Sequence, residues 1–488
     1  MSTSNASISA KSRAGTGEIM NKSVFKLAWP IFVQALLAML LGYADTLMLS
    51  GYDQTAVGAI GNANQILGFL TLAFMVISSA SGVVVAQYLG AGQKEKISEI
   101  YTVCVSFNLV LSLILSAIVY LGSDALMRML HTPAEMMNDA RNYMRIVGGF
   151  LFVHAVLDTM SRIFQSNGKT VFGMVISLGM NIINVAGNYL FLYGPLKSLG
   201  LGASGVAVST TFSRVIGLCA AFVFFRVFID GHISVKYLKP FPKNVLKTLL
   251  KLGIPTAGEN ISYNVSQLFV TGFVNTLGIV AINAKIYANI LSNFAYLYSL
   301  SVAMATMIIV GHAVGAGDYD FANRRVNKTM RSALIVSACI ACLNFLLSPL
   351  TLGFFTSGAE VSGIGSQIVS LGRRVLFVGI FLEFGRTSNL VIINSLKASG
   401  DVRFPTYLGI AAMWSCSVAG GYILGVVCGF GLVGIWIAMA ADEIIRGIVV
   451  AIRWKRGTWR GKSVVQKQEP FIPASAETPP SEIDSTIR

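Results

Sequence analysis

Two stretches of this chain repeat each other and decide its fold. Lys26-Leu-Ala-Trp-Pro30 opens the first long apolar run, and Lys251-Leu-Gly-Ile-Pro255 opens a later one. Further along, Gln87-Tyr-Leu-Gly90-Ala-Gly92 has its counterpart in His312-Ala-Val-Gly315-Ala-Gly317. The two prolines are 225 positions apart, and so are the two final glycines. This constant shift indicates a duplicated module, and a duplicated membrane bundle can hold a substrate site between its halves.

The composition places the chain in a membrane. Hydrophobic residues make up 54% of the 488 positions, charged residues only 12%, and the mean hydropathy is +0.67. Soluble domains carry about twice that charged fraction. In lipid the backbone groups must pair within the chain, and apolar runs of about 20 residues suit membrane-spanning helices. The period-two alternation of a β-barrel is not visible. We therefore predict an all-α polytopic membrane protein, with twelve transmembrane helices in two duplicated six-helix lobes around a central cleft.

The apolar runs also predict the boundaries. The twelve spans begin near Val24, Val57, Ser98, Tyr143, Val171, Ala203, Val245, Ala281, Ser332, Leu371, Pro405 and Leu432. We divide the chain into an amino-terminal cytoplasmic tail (1–22), an amino-terminal lobe (23–228), a cytoplasmic inter-lobe loop (229–245), a carboxyl-terminal lobe (246–456) and a cytoplasmic tail (457–488). The last segment is rich in Pro, Ser and Glu, so we expect it to be disordered.

The positive charge predicts orientation. The net charge of +15 concentrates in alternate loops, such as the central loop with Lys236 and Lys239 and a later loop with Arg324 and Arg325. The positive-inside rule then places both termini in the cytoplasm. Because these cations flank membrane spans, we expect a lipid bilayer as their partner and no nucleic acid.

One carboxylate lies deep inside the first span. Asp45 is the only charged residue between Lys26 and Asp53. A charge at the centre of a membrane helix costs about 2.5 kcal/mol or more, so it requires a partner or a function. Asp45 either carries a proton or cation, or is a structural group held by hydrogen bonds from neighbouring helices. We favour the first interpretation.

Polar residues of spans five and six are possible neighbours of this acid. Asn181, Asn184 and Asn188 follow a spacing of three, then four, which puts them on one helix face. Their carbonyls can ligate Na⁺ and their amides can hydrogen-bond a carboxylate, although such residues also join helices structurally. Span six adds Thr210, which can bond its own backbone. It also adds Arg214, which either neutralises a cavity acid or reaches the membrane interface.

The second half has its own acids. Glu259 follows Pro255 by one helical turn, and Glu383 is three residues before Arg386, so those two can pair on one helix face. The pair is either a fixed structural feature or a gate. Weaker candidates occur near the end of the chain's apolar part: Asp442, Glu443 and Arg446.

Together these residues resemble the multidrug and toxic compound extrusion (MATE) transporters, from about Lys26 to Arg453. The resemblance is carried by Ala44-Asp45-Thr46, Val85-Ala-Gln-Tyr-Leu-Gly-Ala-Gly92, Gly205-Val-Ala-Val-Ser-Thr210 and Leu396-Lys-Ala-Ser-Gly-Asp401. It implies a V-shaped pair of lobes that exports organic, often cationic, drugs in exchange for H⁺ or Na⁺.

The resemblance also implies roles for individual residues. Asp45 matches the acid that is central to cation coupling in bacterial members, and Asn184, Asn188 and Thr210 match contributing positions. If Na⁺ is the coupling ion, Asp45, Asn184 and Asn188 are its expected ligands. The chain departs from the family at Asn188, where many members have Asp. A further departure concerns span seven, where some members have an acid and this chain has Tyr263, with Glu259 one turn earlier.

For the substrate, a small organic, cationic and amphipathic molecule, we expect Glu259 and Glu383 to attract the charge and Tyr263 and Tyr287 to stack on it. We expect a monomer, no cofactor apart from the coupling H⁺ or Na⁺, and no enzyme, since no phosphate loop or hydrolytic residue set is visible. His312 stands where the first half has Gln87, which predicts a structural role.

Two alternatives stay open. A lipid-linked oligosaccharide flippase of the same superfamily requires a strongly cationic cavity, whereas few Arg or Lys residues are visible inside the spans. A channel would show a pore ring or filter.

Overall fold

The computed structural model describes residues 17–356 and 364–465, and every regular element within them is a helix. Twelve long helices follow one another, and three of them include π-helical turns. They are α1 (Val24–Ser50), α2 (Gln54–Gly90), α3 (Lys94–Met129), α4 (Ala134–Gly148 with Leu151–Ser166), α5 (Thr170–Leu192), α6 (Gly202–Ile229), α7 (Lys243–Asn275), α8 (Ile279–Gly315), α9 (Tyr319–Leu346), α10 (Gly365–Ala398), α11 (Arg403–Val427) and α12 (Gly431–Lys455).

Not all twelve helices are equally apolar. Within the described residues, nine are long and apolar enough to cross a membrane, and α4 makes ten when its two parts, bent by 46°, are counted as one span. The other two, α7 and α12, contain charged residues that include Glu259 and Arg446. The two helices that look too polar to span thus carry part of the charge of the carboxyl-terminal lobe, and α10 carries the rest, including Glu383 and Arg386. The predicted arrangement of two six-helix lobes is confirmed.

The two lobes are joined at one end and separate at the other. One hydrophobic core, from Leu49 to Ala207, contains only residues of the amino-terminal lobe. A second, from Val270 to Ala440, contains only residues of the carboxyl-terminal lobe. A third core joins Leu27 of α1 to Ile309 of α8 and therefore belongs to both lobes. A bundle with a shared base and two independent arms leaves a cleft between the arms.

The shared base contains a symmetric crossing of α2 and α8. A Cβ atom on Gly90 would collide with the backbone of His312, and one on Gly315 would collide with the backbone of Gln87. Only glycine permits this approach, and the repeat supplies it twice. We call Gln87, Gly90, His312 and Gly315 the lobe crossing.

Hydrogen bonds across the lobe crossing follow the same symmetry. Gln87 Nε2 donates to the Ala398 carbonyl oxygen at 2.6 Å, at the end of α10. His312 Nε2 lies 2.8 Å from the Ser166 carbonyl oxygen, at the end of α4. Each residue therefore reaches from its own lobe to a helix end of the other lobe. This contact is the structural role predicted for His312.

The described parts of the two tails are ordered. Residues 17–21 form a short helix, whereas 1–16 lie outside the described residues. Residues 457–465 differ from the predicted disordered tail because they pack on the carboxyl-terminal lobe. Trp459 is buried against Trp454 with ring centroids 4.1 Å apart, and Lys462 Nζ lies 2.7 Å from Asp401. The predicted disorder of 466–488 falls outside the described residues. Between the lobes, α6 ends at Ile229 and α7 begins at Lys243, near the predicted loop.

Candidate functional site

Helices α1, α5 and α6 bring four predicted residues into one hydrogen-bonded chain. Asn188 Nδ2 donates to Asp45 Oδ1 at 2.6 Å and to Asn184 Oδ1 at 3.2 Å. Asn184 Nδ2 donates in turn to Thr210 Oγ1 at 3.0 Å. We call Asp45, Asn184, Asn188 and Thr210 the amino-lobe site. The spacing of four on α5 stacks its two amides on one face, and α1 and α6 pack on either side.

The amino-lobe site is buried everywhere except at its acid. Asn184, Asn188 and Thr210 are buried, whereas Asp45 is partly exposed. The Asn188 Oδ1 atom is buried and has no hydrogen-bond partner among the described residues. An oxygen of this kind can accept a ligand. The third predicted amide, Asn181, does not belong to the site, because it donates to the Ser177 carbonyl of its own helix at 2.7 Å.

Asp45 has no cationic partner in contact. Among the described residues no ion pair within 4.0 Å involves it. Arg214 acts on it only by longer-range electrostatic attraction. Of the two roles considered for Arg214, the structure favours the electrostatic one. The negative charge of Asp45 is therefore stabilised mainly by the Asn188 amide.

The acids of the carboxyl-terminal lobe are arranged differently. Arg386 Nη1 contacts Glu383 Oε1 at 2.5 Å, which is the pairing that their spacing predicts. Arg446 contacts Asp442 at 2.8 Å and Glu443 at 3.1 Å. We call Glu383, Arg386, Asp442, Glu443 and Arg446 the carboxyl-lobe network. Every acid in this network has an arginine partner.

The predicted acid of α7 is paired as well. Glu259 Oε2 lies 2.8 Å from Lys397 Nζ of α10 and accepts a hydrogen bond from Thr406 Oγ1 at 3.3 Å. Lys397 is part of the Leu396–Asp401 motif quoted above, but nothing in the motif indicates that its charge pairs with Glu259. The pair ties α7 to α10 and adjoins α11.

A cavity of about 320 Å³ lies between the lobes. Its lining includes Glu259 and Tyr263, as predicted, and also Tyr296. Glu383 and Tyr287 are not among its described lining residues. Glu383 is buried behind its arginine, and Tyr287 stacks on Phe355 with ring centroids 5.1 Å apart. A larger recess of about 1020 Å³ lies elsewhere in the carboxyl-terminal lobe, beside Arg373 and Arg374, away from both sets of charges.

The sequence interpretation missed four basic residues of this inter-lobe cavity as a set. They are Arg162, Arg386, Lys397 and Arg446. Each is visible inside or at the end of a span, but nothing in the sequence indicates that helices of both lobes bring them to one cavity. No cluster of three or more His, Cys, Asp or Glu residues suitable for a metal ion occurs in the described part of the chain. Any Na⁺ at the amino-lobe site would depend on amide and hydroxyl oxygens beside Asp45.

Twelve helices in two repeats, a cavity between them and an acid inside the first helix define a polytopic membrane transporter. The family model described as MatE matches residues 30–190 and again 255–423. The second match begins 225 positions after the first, which is the shift of the repeat. The chain belongs to the MatE family.

Relatives from bacteria match almost the whole chain. It is 37% identical over 442 residues to the "uncharacterized transporter YisQ" of Bacillus subtilis, covering 91% of this chain and 96% of the relative. It is 24% identical to the "probable multidrug resistance protein NorM" of Thermotoga maritima, covering 92% and 95%. Among solved structures, one described as MATE in the bent conformation matches with a TM-score of 0.82 at 18% identity, covering 91% of this chain and 97% of the other. That likeness supports the fold.

Proposed function

We propose that the protein is a secondary active antiporter that exports small organic compounds in exchange for H⁺ or Na⁺ bound at Asp45. The observation that carries this proposal is the difference in charge compensation: Asp45 has an amide partner, whereas Glu259 and the acids of the carboxyl-lobe network have cations. An acid without a fixed countercharge can gain or lose a bound cation without leaving a buried cation unpaired. The names of the multidrug resistance relatives support export as the direction of transport.

Ion binding at Asp45 acts on helix packing. The Asn188 amide donates to the carboxylate, and this bond joins α1 to α5. A proton or Na⁺ on Asp45 competes with that donor, so occupancy changes how α1 packs on α5. The same series of hydrogen bonds reaches α6, because Asn184 donates to Thr210. Loading and release of the ion are thereby coupled to the shape of the amino-terminal lobe.

The lobe crossing determines which side of the cavity is closed. It lies at the ends of α2 and α8, beside the short loops that precede Lys94 at the start of α3 and Arg324 in the second turn of α9. The positive-inside rule supports a cytoplasmic position for these loops and for both termini, in a bacterial inner membrane. The structure then corresponds to a state closed toward the cytoplasm. Substrate loading from inside requires the lobe crossing to separate, as alternating access demands.

The test is transport by purified protein in vesicles, as a monomer-sized preparation, under a pH gradient, a Na⁺ gradient and no gradient. Asp45→Asn should lower gradient-driven export at least 100-fold while the protein stays folded. The matched control is Asp124→Asn, which removes an acid paired with the exposed Arg128 and should retain the wild-type rate. Wild-type export by Asp45→Asn under the effective gradient would refute the proposal.

A second candidate is a lipid-linked oligosaccharide flippase, and a specific observation favours it. The sequence shows few cations inside the spans, yet four bases line the inter-lobe cavity. The cavity volume of about 320 Å³ counts against it, because it lies at the lower end of the range for ordinary ligand pockets, about 300–1,000 Å³. Movement of a fluorescent polyprenyl-pyrophosphate sugar across vesicles containing the protein would support this candidate over drug export.

A further inference from the structure

The chain continues past its last helix and crosses from one lobe to the other. Residues 457–465 contain turns and no helix, and they pack first on the carboxyl-terminal lobe. There Trp459 is buried, and its indole Nε1 donates to the Trp454 carbonyl oxygen at 3.0 Å. Lys462 Nζ then lies 2.7 Å from a carboxylate oxygen of Asp401. We call residues 457–465 the carboxyl strap, and its end reaches α2 of the amino-terminal lobe.

The buried amide of Gln87 holds the end of the carboxyl strap. Its Oε1 accepts hydrogen bonds from Ser463 Oγ at 2.9 Å and from the Val464 backbone N–H at 2.8 Å. Its Nε2 donates to the Ala398 carbonyl oxygen, as in the lobe crossing. All three partners belong to the carboxyl-terminal half of the chain, whereas Gln87 belongs to the other half. Separation of the lobes at this point must therefore break three hydrogen bonds together.

The repeat-related residue of the lobe crossing has no such support. His312 Nε2 lies 2.8 Å from the Ser166 carbonyl oxygen, which corresponds to the bond from Gln87 to Ala398. The His312 Nδ1 atom, however, is buried and has no hydrogen-bond partner among the described residues. The two ends of the Gln87 amide are both satisfied, because the carboxyl strap supplies two donors. The lobe crossing is thus symmetric in its helices and asymmetric in what fastens it.

The equivalent segment after the first repeat stays on its own lobe. The 225-residue shift places the carboxyl strap on residues 232–240, in the inter-lobe loop. There the Ser234 backbone N–H donates to Thr102 Oγ1 of α3 at 3.2 Å. The inter-lobe loop enters the next lobe through its covalent connection to α7, whereas the carboxyl strap reaches the other lobe by non-covalent contacts. Those contacts can form and break while the chain stays intact.

A glycine makes room for the carboxyl strap on its way to α2. A Cβ atom on Gly400 would lie 2.2 Å from the Lys462 carbonyl oxygen, and the φ angle of Gly400 is +93°. Both the close approach and the positive φ favour glycine at this position. Gly400 belongs to the Leu396–Asp401 motif, whose last residue also pairs with Lys462. The turn after α10 therefore positions the carboxyl strap against the base.

We propose that the carboxyl strap is a latch, which stabilises the closed cytoplasmic base and has to leave Gln87 before the inter-lobe cavity opens to the cytoplasm. This inference rests on the proposed function, in that it takes the lobe crossing to separate during transport. The carboxyl strap adds two hydrogen bonds to the closed state, and neither persists once α2 moves away from the carboxyl-terminal lobe. An interaction that is made in one state only shifts the equilibrium toward that state, so its loss favours the inward-facing state.

The experiment measures access to the inter-lobe cavity in the full-length protein, without a gradient or a substrate. Ser79→Cys places a thiol in the cavity lining, and a membrane-impermeant maleimide is added to either face of sealed vesicles. Arg456→Cys, at an exposed residue next to the carboxyl strap, shows which face carries the strap. Because the chain has six native cysteines, the rate is taken as the difference between proteins with and without Ser79→Cys.

The test variant combines Ser463→Ala with Val464→Pro, which removes both donors because alanine has no hydroxyl and proline has no N–H. Labelling at position 79 from the face of the carboxyl strap should become at least fivefold faster, since one hydrogen bond changes an equilibrium by about fivefold. Wild-type labelling in the folded variant would overturn the proposal. Equally faster labelling from both faces would indicate general loosening and would overturn it too.

The matched control removes a contact of the carboxyl strap that stays within one lobe. Arg460 pairs with Asp320 of α9 at 2.8 Å, and both side chains are exposed. Arg460→Gln breaks this pair and leaves both donors to Gln87 in place, so its labelling should match the wild type. A rise as large as that of the test variant would mean that any disturbance of the segment opens the base, which contradicts a latch at Gln87.

A double-mutant cycle assigns the effect to Gln87. Gln87→Ala removes the acceptor, so in this background the Ser463→Ala and Val464→Pro substitutions should change labelling less than twofold. An undiminished effect would overturn the assignment of Gln87 as the latch contact. None of these measurements uses the coupling ion. They therefore stand whether or not Asp45→Asn abolishes exchange, and the two proposals fail separately.

Discussion

The two lobes derive from one module, yet they compensate the acids inside their helices in opposite ways. The amino-terminal lobe holds Asp45 with the amide of Asn188. The carboxyl-terminal lobe pairs Glu383 with Arg386, and Asp442 with Arg446. Under the 225-residue shift, the position of Asp45 falls on Val270, which is fully buried in an apolar core. Duplication thus preserved the helices and not the charges.

The difference shows how two lobes with the same helices can have different electrostatic properties. A paired acid is fixed, because removing its charge strands a buried cation, at a cost of several kcal/mol. An acid with an amide partner is not fixed in this way. The amino-terminal lobe is thereby suited to exchange an ion, and the carboxyl-terminal lobe is suited to hold a rigid charged wall. The following predictions test that division, from the largest effect to the smallest.

Removing a cation from the carboxyl-lobe network should cost the most stability. Arg446→Gln leaves Asp442 and Glu443 without their main partner, so we expect a loss of about 3–5 kcal/mol. Asp45→Asn should cost less than about 1 kcal/mol, because no contacting cation is stranded. Thermal unfolding in detergent measures both. Equal losses in the two variants would contradict the division between the lobes.

Adding a methyl group at the lobe crossing should destabilise the closed base. In Gly90→Ala or Gly315→Ala the new Cβ collides with backbone atoms of the opposite helix. Overpacking of this kind costs about 1–3 kcal/mol. The control is Gly61→Ala, where nothing lies within 4 Å of the added atom. The accessibility of a cysteine introduced into the cavity lining by Ser79→Cys should rise in the crossing variants, and unchanged accessibility in both would show that the base tolerates the methyl.

Shortening the amide that contacts Asp45 should weaken the ion site selectively. Asn188→Ala removes the 2.6 Å hydrogen bond to the carboxylate, and we expect about a tenfold change in the apparent affinity for the coupling ion. Asn181→Ala on the same helix is the matched control, because that amide bonds only its own backbone. Ion-concentration dependence of export in vesicles measures both. A larger effect from Asn181→Ala than from Asn188→Ala would show that the coupling ion does not bind at the amino-lobe site.

The far end of the amino-lobe site should matter least. Thr210→Val leaves Asn184 Nδ2 without its acceptor, so we expect a loss of about 1 kcal/mol of stability and a change in ion affinity below fivefold. Thr46→Val is the control, since Thr46 Oγ1 donates to the Gly42 carbonyl of its own helix. Complete loss of coupling in Thr210→Val would make Thr210 a direct ion ligand instead of a supporting group.

The sequence predicted Asp45, Asn184 and Asn188 of the amino-lobe site because they are rare or regularly spaced, whereas Thr210 was expected there from the family resemblance. Asp45 stands alone in an apolar span, and a spacing of four brings Asn184 and Asn188 to one face. The same spacing argument also included Asn181, whose amide donates to its own helix. Spacing alone does not indicate whether a side chain bonds a neighbouring helix or its own. The sequence interpretation also placed Tyr287 and Glu383 at the substrate, whereas they lie outside the described cavity lining. The direction of a side chain across a helix bundle depends on packing.

The amino-acid sequence is sufficient to predict a duplicated helical membrane protein. It also shows an acid in the first span, where a charge costs free energy in the membrane. Hydropathy, repeat spacing and charge bias can be read from the order of the residues alone, and lipid permits few alternatives to helices. The contacts between charged side chains of different helices become visible only in the tertiary structure. In the tertiary structure Lys397 contacts Glu259, and α2 crosses α8 at two glycines. Arg162 lines a cavity that residues of the other lobe also line. Such contacts join helices far apart in the chain, and their register is set by packing between surfaces that no local pattern encodes.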